Sequence, residues 1–360
     1  MNAPRFVCTF ILPLISGMLA ASGQATQPAT PPGAEAAITS AGQSIRLDVT
    51  AETKAGLPVT DLGKQDFTIL DNKTARPITS FKMVSATDDP VNVILMIDAV
   101  NTPYQMVAYS RDGVERFLKS NEGQLANPTS VAVLTDQGVQ MDSSFSRDGN
   151  ALSTDLEHHQ IGLREINRGS QWGAQDQLQI CMNAVHQLIG FAESLPGRKI
   201  VIWISPGWPL ISGPRVYLDD RQEKQIFNEI VSLSTRMRQL HLTLYNANPV
   251  GVMESMQRAD YYEAFLKGVS KVNQVQLGDL SVQVLAAQTG GLVFEGDSDV
   301  PGMITRSLLD AKSWYEIGFD PLPADKPDEF HEIDVKIDKP GVLARTRDGY
   351  YANPVAITPR

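Results

Sequence analysis

The fold is decided by residues 91–102, Val-Asn-Val-Ile-Leu-Met-Ile-Asp-Ala-Val-Asn-Thr, a nearly unbroken apolar run that stops on the carboxylate of Asp98. A short run rich in valine and isoleucine is typical of a strand buried on both faces of a parallel sheet. In open α/β folds, ligands bind in the crevice beyond the carboxyl ends of such strands. Function is therefore sought first at Asp98, Asn101 and Thr102.

Apolar strands and amphipathic helices alternate downstream of this run. The pattern predicts strands at 130–134, 138–141, 199–205, 242–246 and 291–295, and helices at 105–118, 174–192, 221–240, 280–287 and 300–311. Strand 138–141 alternates with polar residues, which is typical of a sheet edge. This order indicates βαβ units, and so a doubly wound, mainly parallel sheet with helices on both faces.

Both ends of this region change to β structure. Alternating apolar residues predict strands at 44–50, 66–72 and 78–84 before it, and at 314–319, 331–337 and 342–346 after it. So few short strands need a neighbour to complete a core, which favours one small β module built from both chain ends. The predicted domains are a β module at 43–88, an α/β domain at 89–312, C-terminal strands at 313–352 and a tail at 353–360.

The N-terminus resembles an export signal. Arg5 precedes an apolar stretch at 6–21, and small residues suitable for cleavage follow at 20–23. We predict a signal peptide at 1–23, a linker rich in alanine, threonine, proline and glycine at 24–42, and a secreted or periplasmic protein. An uncleaved anchor is the alternative, although the run is short for a membrane span. After cleavage no transmembrane segment is expected.

Charge and cysteine content narrow the possible functions. The chain has 360 residues and a net charge of −10, which argues against binding nucleic acid. Its two cysteines are Cys8, within the predicted signal, and Cys181, so no intramolecular disulfide is expected in the mature chain. Cys181 falls on the apolar face of a predicted helix, which favours a buried, inert thiol over a nucleophile.

Several segments, in this order, resemble a von Willebrand factor type A domain, and more closely the related domain common in secreted acidobacterial proteins. The resemblance covers 44–351. It is carried by Asp66-Phe67, residues 91–102 and 199–207, Tyr245-Asn246-Ala247-Asn248-Pro249, Thr289-Gly290-Gly291, and the stretch 315–351 with its final Arg345-Thr346-Arg347-Asp348-Gly349-Tyr350-Tyr351.

The resemblance implies a divalent cation site at the top of the sheet. Type A domains often hold Mg²⁺ or Mn²⁺ through an Asp-x-Ser-x-Ser loop, a threonine and a further aspartate. Here Asp98 matches the first aspartate, Thr102 can replace the second serine and Ser170 is a candidate for the threonine. Val100 and Pro206 stand where the first serine and the last aspartate belong, so the site is degenerate. A structural role for Asp98, accepting backbone N–H bonds, is the alternative.

Other motifs suggest no chemistry. Asp142-Ser143-Ser144-Phe145-Ser146 matches the metal pattern literally but follows the predicted edge strand, where a polar loop is expected. The five histidines form no zinc-binding pair, and neither a nucleophile elbow nor a phosphate-binding loop is present. We therefore predict a protein that is not an enzyme.

These observations favour a secreted interaction protein that binds a protein or cell-surface component through the loops after Asp98, Ser170 and Ser205. Asn101, Ser205 and Trp208 are the candidate partner-binding residues, with packing beneath the loop as the alternative for Trp208. No cofactor is expected, although Mg²⁺ or Mn²⁺ is possible. The alternatives are metal-dependent adhesion through Asp98 and Thr102, and a hydrolase of unknown type.

Overall fold

The computed structural model describes residues 44–89, 91–141, 144–158, 171–209, 218–250 and 262–354. The predicted signal peptide (1–23), the predicted linker (24–42) and Ser170 lie outside these ranges. Within them, no helix combines the length and the apolar character that crossing a membrane requires.

The strands in chain order are β1 (Ile45–Thr53), β2 (Phe67–Asp71), β3 (Thr74–Arg76), β4 (Ile78–Ser85), β5 (Asn92–Asp98), β6 (Gln124–Thr135), β7 (Gly138–Met141), β8 (Ser146–Asp148), β9 (Lys199–Ile204), β10 (Leu242–Ala247), β11 (Val293–Phe294), β12 (Ser313–Phe319), β13 (Glu329–Ile337), β14 (Val342–Arg345) and β15 (Gly349–Ala352). The α-helices are α1 (Tyr104–Leu118), α2 (Gly149–His158), α3 (Gln171–Ala192), α4 (Asp220–Gln239), α5 (Val282–Gln288) and α6 (Val300–Ser307).

The apolar run that ends at Asp98 forms the central strand of the large sheet. Its strand order is β11-β10-β9-β5-β6-β7, with β8 also paired to β6. Neighbours from β11 to β6 run parallel, whereas β7 and β8 are antiparallel to β6. The predicted mainly parallel sheet is therefore confirmed, and β7 lies at its edge as the polar alternation indicates.

Helices cover both faces of this sheet because successive side chains of β5 point to opposite sides. Val93, Leu95 and Ile97 pack with α1, α2 and α6 in one buried cluster. Ile94 and Met96 pack with α3, α4 and α5 in another. The doubly wound arrangement predicted from the alternation of strands and helices is thus confirmed.

The β module is a sandwich of two antiparallel sheets with the strand orders β14-β1-β12-β4 and β15-β13-β2-β3. Each sheet combines strands from before and after the α/β region, as predicted. Between the sheets, the ring of Phe67 in β2 lies 5.0 Å from that of Tyr315 and 5.5 Å from that of Phe81, centroid to centroid. The packing of two faces explains how short strands reach a stable core.

A buried polar cluster joins the β module to the α/β region. Arg345 in β14 donates from Nη2 to both carboxylate oxygens of Asp310, at 2.8 and 2.7 Å. The hydroxyl of Tyr245 in β10 donates to the same carboxylate, and Arg198 Nη1 donates to the Asp310 carbonyl at 2.9 Å. Burial opposes the charge of Arg345, but the Asp310 carboxylate outweighs it and raises the pKa of the guanidinium. The two units are therefore held together by a charged contact as well as by apolar packing.

Two helices differ from the sequence-based expectation, and the short strands β3, β8 and β15 are not predicted by it. The sequence does not predict helix α2, because it begins at Asp148-Gly149-Asn150, three residue types that are typical of turns. In the structure the Asp148 carboxylate accepts from the N–H groups of Asn150 and Ala151 and so begins a helix. The helix predicted at 300–311 is divided, because α6 ends at Ser307 and a 3₁₀ turn continues to Ala311.

Candidate functional site at the crest

The carboxyl edge of the large sheet carries the loops that follow β5 and β9, residues 99–103 and 205–209. Together with Tyr104, the first residue of α1, we call these loops the crest. Asp98 ends β5 beneath it and is 0% exposed. Its Oδ1 accepts from the backbone N–H groups of Val100 and Asn101, both at 2.9 Å. Its Oδ2 accepts from Asn101 Nδ2 at 2.7 Å and from the indole Nε1 of Trp203 at 3.0 Å. Four N–H donors from the protein therefore stabilise the buried carboxylate.

These surroundings do not fit a Mg²⁺ or Mn²⁺ site. Such ions need a shell of oxygen ligands in near-octahedral geometry, whereas both oxygens of Asp98 already face N–H donors. Val100 and Pro206 are buried and have no side-chain oxygen. Within the described ranges, no group of three or more histidine, cysteine, aspartate or glutamate residues has a geometry that could hold a metal ion.

The other predicted residues of this loop support its shape. Asn101 links the Asp98 loop to helix α3, since its Nδ2 also lies 3.0 Å from the Sγ atom of Cys181. Thr102 is buried beside it. The Nε2 atom of Gln177 in α3 donates to the Val100 carbonyl at 3.2 Å, which further fixes the loop. The Asp98 loop is thus attached to α3 at two points.

Cys181 is buried within the apolar cluster on the α3 side of the sheet. Burial and the nearby Asp98 carboxylate raise the pKa of its thiol well above the ordinary value, against the opposing hydrogen bond from Asn101. A raised pKa disfavours the thiolate that nucleophilic chemistry needs. The geometry therefore agrees with a structural thiol.

The second crest loop is held by its own turn. The Ser205 hydroxyl accepts from the backbone N–H of Gly207 at 3.1 Å, and Ser205 itself is buried. Gly207 has φ +103°, and a Cβ atom there would collide with the amide of Gln283. The turn thus requires glycine at this position, and Ser205 does not present its side chain to a partner.

Trp208 lies in the core. Its side chain is 2% exposed and packs edge-on against Trp203, with ring centroids 5.3 Å apart. The hypothesis of a Trp208 ring projecting from the crest is therefore corrected: the indole packs beneath the loop, because burying this large apolar surface is favourable. The loop position alone did not reveal which way the ring points.

Tyr104 is an exposed aromatic residue at the crest, and it is not among the partner-binding residues predicted from the sequence. It is the first residue of α1, directly after Pro103, and 62% of its surface is exposed. Its neighbours Pro103 and Gln105 are exposed as well. The sequence does contain a sign of this, because Tyr104 is an aromatic residue that directly follows the predicted metal-ligand loop. Side chains at such a position are often exposed to solvent.

Comparisons with known proteins give only distant likenesses. No family model matches the chain, and neither does any curated protein. The chain is similar to proximal thread matrix protein 1 from the mussel byssus, at 13% identity over 64% of this chain and 50% of that one, with a TM-score of 0.33. It therefore spans half the length of the mussel protein.

Two further solved structures are similar to it. One is the SpRpn10 VWA domain, at 10% identity over 62% of this chain and 97% of that one, with a TM-score of 0.31. The other is the manganese-loaded TRAP protein of Plasmodium vivax, at 9% identity over 77% of this chain and 100% of that one, with a TM-score of 0.33. Likenesses of this extent identify neither a partner nor an activity.

Proposed function

We propose that this chain is an exported, non-enzymatic interaction protein whose crest binds a protein or cell-surface component without a divalent cation. One observation carries the proposal. Four N–H donors of the protein hold the buried Asp98 beneath the crest, and an exposed aromatic side chain, Tyr104, follows the same loop. A loop stabilised in this way is preorganised before any partner arrives.

Tyr104 has the chemistry of an interface anchor. Tyrosine is enriched among residues that dominate binding, because it offers a large apolar ring, a hydroxyl and little conformational freedom to lose. The resemblance of the sequence to a von Willebrand factor type A domain supports an interaction role, although fold alone does not specify function. The predicted signal peptide supports export.

Acidic side chains in a loop against α1 narrow the chemistry expected of the partner. The loop 295–299 lies against α1, because the Tyr109 hydroxyl donates to the Ser298 carbonyl at 2.7 Å. This loop carries Glu295, Asp299 and Asp297, of which Asp297 pairs with Arg306, and the whole chain has a net charge of −10. A neutral or basic surface with an apolar recess for the tyrosine suits this crest better than a polyanion does.

The experiment places a photo-reactive benzoylphenylalanine at position 104 and, as a control, at Arg116 near the other end of α1. The expected result is a partner that cross-links from position 104 only, with and without EDTA. With that partner purified, Tyr104→Ala should weaken binding by about tenfold or more, which is about 1.4 kcal/mol. Cross-linking that is equal from both positions would overturn the proposal. Binding that requires Mg²⁺ or Mn²⁺ and is lost in Asp98→Ala would replace it with metal-dependent adhesion.

A further inference from the structure

A cleft lies between α3 and α4, on the face of the sheet opposite to α1 and Tyr104. Its volume is about 410 Å³, within the range of about 300–1,000 Å³ that is typical of ligand pockets. The floor is made of five buried aliphatic or thioether side chains: Leu178, Met182, Ile226, Leu277 and Leu280. Such a floor favours an apolar group that leaves water on binding.

The rim of this cleft is polar and carries little net charge. Amide and hydroxyl side chains line it: Gln179, Asn183, Gln225, Asn228 and Ser232. Gln179 Nε2 donates to Asn183 Oδ1 at 3.0 Å, which leaves the Oε1 of Gln179 and the Nδ2 of Asn183 for a ligand. The charged lining residues are His186 and Glu229, and they pair with each other, Nε2 to Oε1, at 2.7 Å. Side-chain amides offer both a donor and an acceptor, so the rim can complement a ligand that has both.

The lining argues against several ligand classes. Among the described residues that line it, none is a lysine or an arginine, which phosphate groups and acidic ligands would need. None of these described lining residues is a phenylalanine, tyrosine or tryptophan on which a nucleobase could stack. What remains is an uncharged ligand with an aliphatic part and several amide-like hydrogen-bonding groups.

We propose that this cleft binds a short, uncharged polypeptide segment, with an aliphatic side chain on the floor and its backbone amides paired to the rim. A peptide group presents one donor and one acceptor, as the glutamine and asparagine side chains of the rim do. A groove between two helices is also a recurring place for apolar anchors of a bound segment. The inference goes beyond the crest, because the cleft lies on the other face of the sheet.

The test uses the whole mature chain with isotope-labelled methionine and isoleucine methyl groups. The probe is the capped tetrapeptide N-acetyl-Ser-Leu-Leu-Ser-amide, compared with N-acetyl-Ser-Glu-Glu-Ser-amide and with octyl glucoside below its micelle concentration. We expect saturable shifts of the Met182 and Ile226 methyl signals with the leucine peptide alone. Shifts with octyl glucoside but not with the peptide would overturn the proposal in favour of an amphiphile site, and no shift at millimolar peptide would overturn it outright.

Two variants make this result specific to the cleft. Asn183→Trp places a ring at the exposed mouth and should weaken peptide binding at least about tenfold. Gln239→Trp, at the exposed end of α4 outside the cleft, is the matched control and should not change it. If Asn183→Trp does not fold, Gln225→Ala should still weaken binding by about threefold, the effect of one lost hydrogen bond. Unchanged affinity in the folded rim variants contradicts the proposal.

The crest variant Tyr104→Ala should leave these methyl shifts unaltered. If the cleft binds the peptide while no partner cross-links at Tyr104, the proposed crest function fails and the cleft inference stands. If the crest binds a partner while the peptide causes no methyl shifts, the cleft inference alone fails.

Discussion

The indole Nε1 of Trp203 donates a hydrogen bond to Asp98 Oδ2 across 3.0 Å, beneath the loop that opens the crest. Trp203 belongs to β9 and Asp98 to β5, and the two strands pair directly in the sheet. A cation bound at Asp98 would have to displace this donor and the Asn101 amide. The contact thus connects the packing of the core to the chemistry of the crest, because a core residue stabilises the carboxylate.

Loss of this hydrogen bond should destabilise the fold. We expect Trp203→Phe to lower the free energy of unfolding by about 2 kcal/mol or more, since a buried charged acceptor loses a donor and a cavity forms. Denaturant unfolding measures the change. Trp314→Phe is the control: Trp314 is also buried, and its Nε1 has no hydrogen-bond partner among the described residues.

A double-mutant cycle isolates the contact. Trp203→Phe combined with Asp98→Asn should show a coupling free energy of about 0.5–3 kcal/mol. Equal losses in Trp203→Phe and Trp314→Phe, with no coupling to Asp98, would mean that only side-chain volume matters at position 203.

Divalent cations should not stabilise the protein. A ligand at about a hundred times its Kd adds about 2.7 kcal/mol to the free energy of unfolding, which raises the Tm by several degrees. We expect the Tm in EDTA to equal that in excess Mg²⁺, Mn²⁺ or Ca²⁺, because N–H donors surround the Asp98 carboxylate. A rise that is absent from Asp98→Ala would show that the degenerate site still binds an ion.

The contact between Arg345 and Asp310 should contribute strongly to stability. Arg345→Ala leaves the buried Asp310 carboxylate without its cation, so a loss of about 3–5 kcal/mol is expected in denaturant unfolding. Lys339→Ala, which breaks the exposed pair with Asp61, is the matched control and should have no measurable effect. Similar effects of the two variants would mean that the buried contact does not hold the β module in place.

His186 should titrate above its ordinary pKa. The hydrogen bond to Glu229 raises the pKa of His186 from 6.5, while partial burial and the charge of Arg236 oppose the rise. The pair's contribution to stability is therefore full below the unfolded-state pKa and is lost as the pH rises through the folded-state value. An NMR titration should give a pKa above 6.5 that falls in Glu229→Gln. A value that is the same in both proteins would contradict the pairing.

The α/β architecture could be predicted because its signals are local. An apolar run of strand length, followed by an amphipathic helix and then another such run, leaves few possible topologies. The bounds of β7 and the carboxyl ends of α1 and α3 agree with the periodicity for this reason. Helix α2 escaped prediction because it is short, with only Leu152 and Leu156 as buried apolar residues, and begins at a turn-like sequence capped by Asp148.

The crest was predictable in place but not in detail. Asp98, Asn101 and Thr102 do lie at the carboxyl end of the central strand, and the losses at Val100 and Pro206 are visible in the sequence. The direction of a side chain at the end of a strand depends on neighbours from other elements. This is why Trp208 turned out to be buried and Tyr104 exposed.

The alternation of strands and helices in the α/β region, the central position of the 91–102 run and the loss of two metal ligands can be read from the sequence, because these follow from local periodicity and residue type. What surrounds the Asp98 carboxylate depends on the folded chain. Its donors come from Val100 and Asn101 nearby and from Trp203, which is 105 positions away in the chain. Contacts between residues so far apart in the chain form only when the strands pair in the sheet. The cleft likewise depends on long-range packing, because it lies between α3 and α4.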